Sequence, residues 1–327
     1  MNPKDRDCSL DTVGGVMILY MIFMHCCQFA GMMDWEVEQF LAVAFNCFMA
    51  WFFFKSGMFH REGQGVQSVM KRTLPKLLRP YVAFSVVGYF VYCVVLWSRS
   101  DRDLVHYTLS IAKSILLTGS YGGALPLWFL VTLFLVKTFS PVIVDKCKLG
   151  GVMACGLIGC ACAYVESEHL KLQPYYVFNF FPAMFFYGLG YILKGKQYGK
   201  WVLGFSAVVF IASFAYPSTV DFRVNHLTAG SYPLFLLYSL AAIVVFNNAA
   251  KTLGRGLWPF TPVGRQSMYW YCAHWPLLLV VNLSLRSMFP SLAGLPLLLA
   301  TFSALLVLLS AIRPLAYATR TKGLLGL

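Results

Sequence analysis

The sequence predicts an all-α polytopic membrane protein with about ten transmembrane helices and with both the N- and C-termini in the cytoplasm. Apolar runs of roughly 17 to 25 residues, the length that spans a bilayer, recur along the whole chain of 327 residues. Only 12% of the residues are charged, whereas soluble domains carry about a quarter. The cations also concentrate in alternate loops.

Ten apolar runs account for most of the chain, which predicts a single integral-membrane domain over residues 1–327. The runs lie near 12–31, 39–59, 80–97, 125–141, 149–165, 175–193, 201–217, 232–249, 264–283 and 292–312. The shorter, charged segment 104–118 predicts an interfacial or re-entrant helix. No secretory cleavage signature precedes the first run.

Charge placement predicts how these spans are oriented. With the N-terminus inside, eighteen of the 26 lysines and arginines fall in inner segments and six in outer loops. This positive-inside pattern predicts a multi-pass protein of the cell (inner or plasma) membrane. It also explains the formal net charge of +13, so we expect the lipid bilayer, and not nucleic acid, as a partner. The ten cysteines form no C-x-x-C pair, so we expect buried thiols, with neither disulfides nor a metal site.

Two histidines lie deep in apolar runs, and they are the strongest indication of chemistry. His25 lies in the run 12–31, and His274 lies in the run 267–283. An ionisable ring at membrane depth faces a protein interior or a wet cavity and defaults to a functional role. Neutral imidazole suits general-base chemistry on a hydroxyl near neutral pH. The alternative is an inert histidine bonded to a neighbouring helix.

Asp11 begins the first span, fourteen residues before His25. That spacing is about 21 Å of helix rise on nearly the same face, so the two side chains cannot touch. We expect Asp11 either to cap its own helix or to accept a hydrogen bond from a neighbouring one.

Four cations precede the third span: Lys71, Arg72, Lys76 and Arg79. On a short helix, the last three would share one face. Such a face at the cytoplasmic mouth predicts either a clamp for a phosphorylated ligand or an anchor against anionic lipid.

Other polar and aromatic residues are candidates for lining a cavity. Ser56 precedes a glycine that would let a helix or ligand approach closely, and Trp128 suits either an interfacial aromatic belt or a cavity wall. Ser267, Tyr271 and His274 follow i, i+4, i+7 spacing and form one polar stripe. At membrane depth that stripe must face protein or water.

Taken in order, these features resemble the acyltransferase-3 family of membrane acyltransferases, which includes sugar O-acetylases that modify polysaccharides. The matching motifs are Asp11 with His25, FFFKSG at 52–57, the basic segment 72–81, LWFL at 127–130, the aromatic and glycine element at 185–191, and the G-x-x-S…Y…H pattern at 264–274. The resemblance covers most of the chain.

The resemblance implies a membrane-bound O-acyltransferase that uses acyl-CoA, usually acetyl-CoA, from the cytoplasm as a donor substrate, with no permanently bound cofactor. It implies a glycan or lipid-linked glycan as the acceptor. His25 matches the position thought to be catalytic, and Arg72 and its neighbours match a segment associated with function. One departure stands out: where the family usually has Arg or Lys three residues after the first aspartate, this chain has Gly14. Gly14 removes that cation from beside Asp11.

We expect His25 to deprotonate an acceptor hydroxyl, which then attacks the acyl carbonyl. The alternative, in which the imidazole itself is the nucleophile, stays open. Ser267, Tyr271 or a backbone N–H would stabilise the oxyanion. Two rival functions are a transporter or flippase of a glycan-lipid, and a catalytically inactive relative. The sequence indicates neither the acceptor nor the oligomeric state.

Overall fold

The computed structural model describes residues 8–98, 104–168, 175–253, 257–318 and 321–323. The fold is almost entirely helical, as predicted. The first half contains α1 Ser9–Ala30, α2 Glu36–Ala44, α3 Phe48–Met58, α4 Val66–Ser98, α5 Leu104–Thr118, a 3-10 helix Gly122–Leu127, α6 Trp128–Ser140 and a π-helix Pro141–Lys146. The second half contains α7 Lys148–Glu168, α8 Tyr175–Ile192, α9 Lys200–Ala215, β1 Thr219–Asp221, β2 His226–Ala229, α10 Tyr232–Thr252, α11 Phe260–Arg265, α12 Ser267–Met288 and α13 Gly294–Ala316.

Seven segments of the described chain are long and apolar enough to cross a membrane, which makes this a multi-pass membrane protein. They are Ser9–Ala30, Glu36–Met58, Val66–Ser98, His106–Lys146, Lys148–Val165, Tyr232–Thr252 and Gly294–Ala316, with Lys200–Ala215 as a shorter apolar helix. The predicted span at 175–193 contains helix α8, and the predicted span at 264–283 overlaps helix α12, which continues to Met288. The count of ten spans, the interfacial position of 104–118 and the cytoplasmic termini stay predictions.

Several element boundaries differ from those predicted. The second run is broken at residues 45–47, where the Asn46 amide donates to the Ser218 carbonyl at 2.8 Å. The basic segment is not a short separate helix, because it belongs to the 33-residue α4, which continues through Pro75 and Pro80. A two-stranded antiparallel hairpin, β1–β2, lies in the loop after α9, where no strand was predicted.

The core forms where α1 packs against α11, α12 and α13, and where α3 packs against α8. The α1–α11 contact is so close that a Cβ on Gly264 would lie 1.7 Å from the Asp11 carbonyl oxygen. A hydroxyl pair, Thr12 with Thr261 at 2.8 Å, joins the same two helices. This packing fixes the first turn of α1 against the chain that leads into α12, and so fixes the two helices that carry His25 and His274.

Candidate active site

A cavity of about 470 Å³ lies beside the C-terminal half of α1. Its walls come from α1, α2, α3, the 3-10 helix, α6, the β1–β2 hairpin and α12. Its polar lining residues are His25, Gln28, Glu38, Asn46, Thr219, Asp221, Arg223 and Thr228, and Trp128 and Tyr271 contribute aromatic side chains. A concave site with a few convergent polar groups on apolar walls is typical of a ligand pocket.

His25 lines this cavity and is partly exposed. Its Nδ1 lies 3.3 Å from Gln28 Oε1. An amide oxygen only accepts hydrogen bonds, so in the neutral tautomer that makes this bond Nδ1 carries the proton and Nε2 keeps its lone pair. One turn of α1 therefore places Gln28 where it orients the His25 ring, and in this tautomer Nε2 is the candidate base.

His274 lies directly behind His25 and is fully buried, with 0% of its surface exposed. The two rings stack with centroids 5.4 Å apart and planes 17° apart, and Trp275 packs its edge against His25 at 5.1 Å. His274 Nδ1 donates to the Tyr271 carbonyl at 2.6 Å, whereas Nε2 has no hydrogen-bond partner among the described residues. His274 therefore holds the His25 ring in place from outside the cavity lining.

The other predicted cavity residues divide into two groups. Trp128 and Tyr271 line the cavity, although the Tyr271 hydroxyl already donates to the Pro126 carbonyl. Ser56 and Ser267 do not line it. Ser267 is the first residue of α12, two turns before His274, so the polar stripe reaches the cavity only at Tyr271.

Asp11 is buried at the other end of α1, where two cations flank it. The helix begins at Ser9 with Cys8 at the N-cap position, so Asp11 lies inside the first turn and is not the N-cap residue, which was one of the two alternatives for it. The Asp11 carboxylate lies 3.9 Å from Lys55 Nζ and 3.6 Å from Arg265 Nε. Lys55 Nζ also donates to the Leu10 carbonyl at 3.2 Å.

Gly14 explains how Lys55 fits beside Asp11. A Cβ on Gly14 would lie 3.3 Å from Lys55 Nζ and 3.3 Å from the Trp51 ring. The space that a side chain at position 14 would enter therefore belongs to Lys55 and Trp51. Although the first helix lacks the expected cation, α3 and α11 supply two from elsewhere in the sequence.

The four predicted donor-binding cations, Lys71, Arg72, Lys76 and Arg79, are all exposed on α4. Lys137 of α6 lies near enough to Arg72 and Lys76 for the three charges to repel one another. Within the described part of the chain, none of these three forms an ion pair. Such a group of uncompensated cations suits a phosphate ligand.

None of these α4 cations lines the His25 cavity. The basic segment and the His25 cavity are therefore separate regions of this structure. The separation follows from the fold, because α3 ends beside Asp11 and α4 begins only a short loop later. We call the region around Asp11, His60 and the α4 cations the Asp11 end. We call the region around the cavity and His25 the His25 end.

A third histidine, His60, was missed in the sequence because its partners are distant along the chain. It is buried just after α3, where its Nε2 donates to Asp145 Oδ1 at 2.6 Å and its Nδ1 accepts from the Tyr187 hydroxyl at 2.9 Å. The other Asp145 oxygen accepts from the Gly63 backbone N–H at 3.2 Å. Both ring nitrogens are occupied, so this group joins the α3–α4 loop, the π-helix and α8.

Glu38 was also missed, because nothing in the sequence indicates that a glutamate in the first turn of a helix is buried.

Among the described residues, no three His, Cys, Asp or Glu side chains lie close enough to hold a metal ion. No disulfide joins the ten cysteines, all of which lie in the described ranges.

Comparison with known proteins gives one informative match. A family model described as an acyltransferase domain, acyltransferase 3, matches residues 9–313. No curated protein and no solved structure gave a match. The matched region contains both ends of α1 and every candidate residue named above.

Proposed function

The chain belongs to the acyltransferase-3 family of membrane acyltransferases, and on that basis we propose that it transfers an acetyl group from acetyl-CoA to a hydroxyl of a cell-surface or lipid-linked glycan in the cell membrane. The donor enters from the cytoplasmic side and no cofactor stays bound. The observation that carries this proposal is His25, which lines a polar cavity and has its Nδ1 beside the Gln28 amide oxygen.

In this proposal the CoA phosphates bind the cations of the Asp11 end. Arg72, Lys76 and Arg79 share one face of α4, with Lys71 beside them. Lys137 adds a fifth helix-borne charge, near Arg72 and Lys76. Guanidinium groups bind phosphate bidentately and lysines bind it as point charges.

The chemical step takes place at the His25 end. Nε2 of His25 removes the proton of the acceptor hydroxyl, and the hydroxyl oxygen attacks the thioester carbonyl carbon. The tetrahedral intermediate collapses as the C–S bond breaks, and the CoA thiolate takes the proton from the imidazolium. The products are the acetyl ester and CoA thiol. Positioned general-base catalysis contributes about 10²- to 10⁴-fold.

Gln28 is the best-placed group to stabilise the oxyanion. The Tyr271 hydroxyl is already bonded to the Pro126 carbonyl, and Ser267 does not line the cavity. Gln28 lines the cavity and uses its amide oxygen to orient His25, which leaves its amide N–H groups as donors. One such donor contributes about 10²- to 10³-fold.

The separation of the two ends sets a distance that the acetyl group must cover. Asp11 and His25 are fourteen residues apart on α1, which is about 21 Å. The thioester arm must therefore extend along the bundle from phosphates held at the Asp11 end. The same separation favours the rival function, in which the cavity binds a glycan-lipid for transport without reacting.

An isotope experiment separates these functions. The purified protein in lipid nanodiscs receives acetyl-CoA labelled in the acetyl carbonyl, together with a membrane extract containing lipid-linked glycans. Our proposal expects label in an ester on the glycan and an equal amount of free CoA thiol. A transporter would leave the label on CoA. An inactive relative would also leave the label on CoA. The missing cation at Gly14 is the feature that favours an inactive relative, but Lys55 and Arg265 supply cations beside Asp11.

A further inference from the structure

Glu38 is a buried carboxylate that faces the same cavity as His25. Only 3% of its surface is exposed, although it lies in the first turn of α2. Its Oε1 has no hydrogen-bond partner among the described residues. Glu36, one half-turn earlier on the same helix, is exposed and does not line the cavity.

Burying a carboxylate oxygen without a hydrogen-bond donor is energetically unfavourable, because the oxygen loses its hydrogen bonds to water and no protein donor replaces them. Asp11 and Asp145 differ from Glu38 in having neighbours of opposite or partial positive charge: two cations lie within 4 Å of Asp11, and Asp145 accepts from His60 and from a backbone N–H. Glu38 therefore brings to the cavity wall a carboxyl group whose Oε1 has no hydrogen-bond donor among the described residues.

The surrounding residues indicate the chemistry of that ligand. The cavity lining contains two acidic side chains, Glu38 and Asp221, and one basic side chain, Arg223. This balance disfavours the phosphates of a nucleotide thioester. Carboxylate oxygens, the Asn46 amide and the flat Trp128 ring together suit a neutral polyhydroxylated molecule.

We propose that Glu38 is a specificity-determining residue for the acceptor, and that its carboxylate accepts a hydrogen bond from a second acceptor hydroxyl, next to the one that His25 deprotonates. The inference rests on the proposed function, because it takes this cavity as the acceptor site. Two anchored hydroxyls would fix which position of the sugar ring faces His25. Glu38 would thus select the site of acylation, while His25 performs the chemistry.

The test is a binding cycle that does not depend on catalysis. Isothermal titration calorimetry of the full chain in nanodiscs measures the affinity for methyl glycosides of glucose, galactose, mannose and N-acetylglucosamine. The tightest binder is then compared with each of its monodeoxy analogues. The same titrations are repeated on Glu38→Ala and Glu38→Gln, with Glu36→Ala as the matched control.

We expect wild type to lose about 10- to 100-fold in affinity when one particular hydroxyl is removed, the range for a hydrogen bond to a charged group. Glu38→Ala should bind the intact glycoside more weakly by a similar factor and lose nothing further from removal of that hydroxyl. Glu36→Ala should behave as wild type. If Glu38→Ala does not fold, Glu38→Gln should still show a weakened dependence on the same hydroxyl.

Three results would overturn the proposal: wild type binds none of the glycosides, the Glu38 variants bind as wild type does, or they still discriminate against every deoxy analogue. The isotope experiment reports the proposed function separately. Ester formation with unchanged Glu38 variants would reject the role of Glu38 alone. An intact binding cycle without ester formation would support Glu38 as a sugar ligand and reject the acyltransferase function.

Discussion

His25 and His60 are both orientated by hydrogen bonds within the protein, but they differ in their partners and in whether both ring nitrogens are bonded. His60 has the carboxylate and hydroxyl partners that usually suggest catalysis, yet both its nitrogens are bonded within the protein. His25 has only an amide partner, and its remaining nitrogen belongs to a residue that lines a cavity. This difference in bonding is the reason why the proposed function assigns the base to His25 and not to His60.

The largest expected effect follows from removing the cavity base. His25→Ala should lower acyl transfer per folded protein by about 10²- to 10⁴-fold, because no other group takes the proton of the acceptor. Rates are measured with labelled acetyl-CoA in nanodiscs, and thermal unfolding serves as the control for folding. An activity within threefold of wild type would reject His25 as the base, and the proposed difference in role between His25 and His60 would no longer hold.

The matched change at the Asp11 end should alter stability and leave the chemistry intact. His60→Ala leaves Asp145 and Tyr187 without their buried partner, which costs about 1–3 kcal/mol in free energy of unfolding. We expect kcat per folded molecule to change less than twofold. Denaturant or thermal unfolding measures the first quantity and labelled transfer the second. A catalytic loss as large as that of His25→Ala would show that His60 takes part in the reaction.

A smaller effect should follow from removing the ring behind His25. His274→Ala deletes the stacked partner 5.4 Å from His25, and an aromatic pair contributes about 0.5–1.5 kcal/mol. If that stabilisation holds His25 in its reactive position, kcat falls by about 2- to 10-fold while KM for acetyl-CoA is unchanged. His274→Phe, which keeps a flat ring, should recover most of the rate. Equal losses in both variants would mean that His274 acts through its nitrogens.

The smallest effect concerns the exposed cations. Arg72→Ala should raise KM for acetyl-CoA by a few-fold, since one exposed ionic contact contributes about 0.2–1 kcal/mol. KM for S-acetylpantetheine, which lacks the nucleotide phosphates, should not change. Lys194→Ala, at another exposed lysine, is the control. A similar rise with both donors would indicate that Arg72 supports the fold or the lipid contact and does not bind phosphate.

The sequence predicted long helices well where apolar runs are continuous. The first, eighth and tenth predicted spans lie close to α1, α10 and α13. The break at 45–47 escaped prediction, because the run remains apolar and aromatic while a single side chain, Asn46, bonds to a distant loop. The β1–β2 hairpin has strands of three and four residues, which are too short to produce a recognisable alternation.

The candidate site was predicted only where the signal lay within one helix. His25 and His274 stood out because each is a polar ring in an apolar run, and Tyr271 follows from helical spacing. Lys55 beside Asp11, Glu38 in the cavity and Asp145 beside His60 depend on contacts between segments that are distant in the sequence. A local sequence pattern carries no information about such pairs. From the sequence, Gly14 therefore indicates a missing cation beside Asp11, whereas in the structure α3 places Lys55 there.

The central claim is that His25, and not His60, performs acyl transfer to a glycan. Mass spectrometry of surface glycans tests it directly in cells that carry wild type, His25→Ala or His60→Ala at matched membrane levels. We predict glycans bearing one added acetyl unit with wild type and with His60→Ala, and glycans without it with His25→Ala. Acetylated glycans that persist at wild-type levels in the His25→Ala cells would contradict the claim.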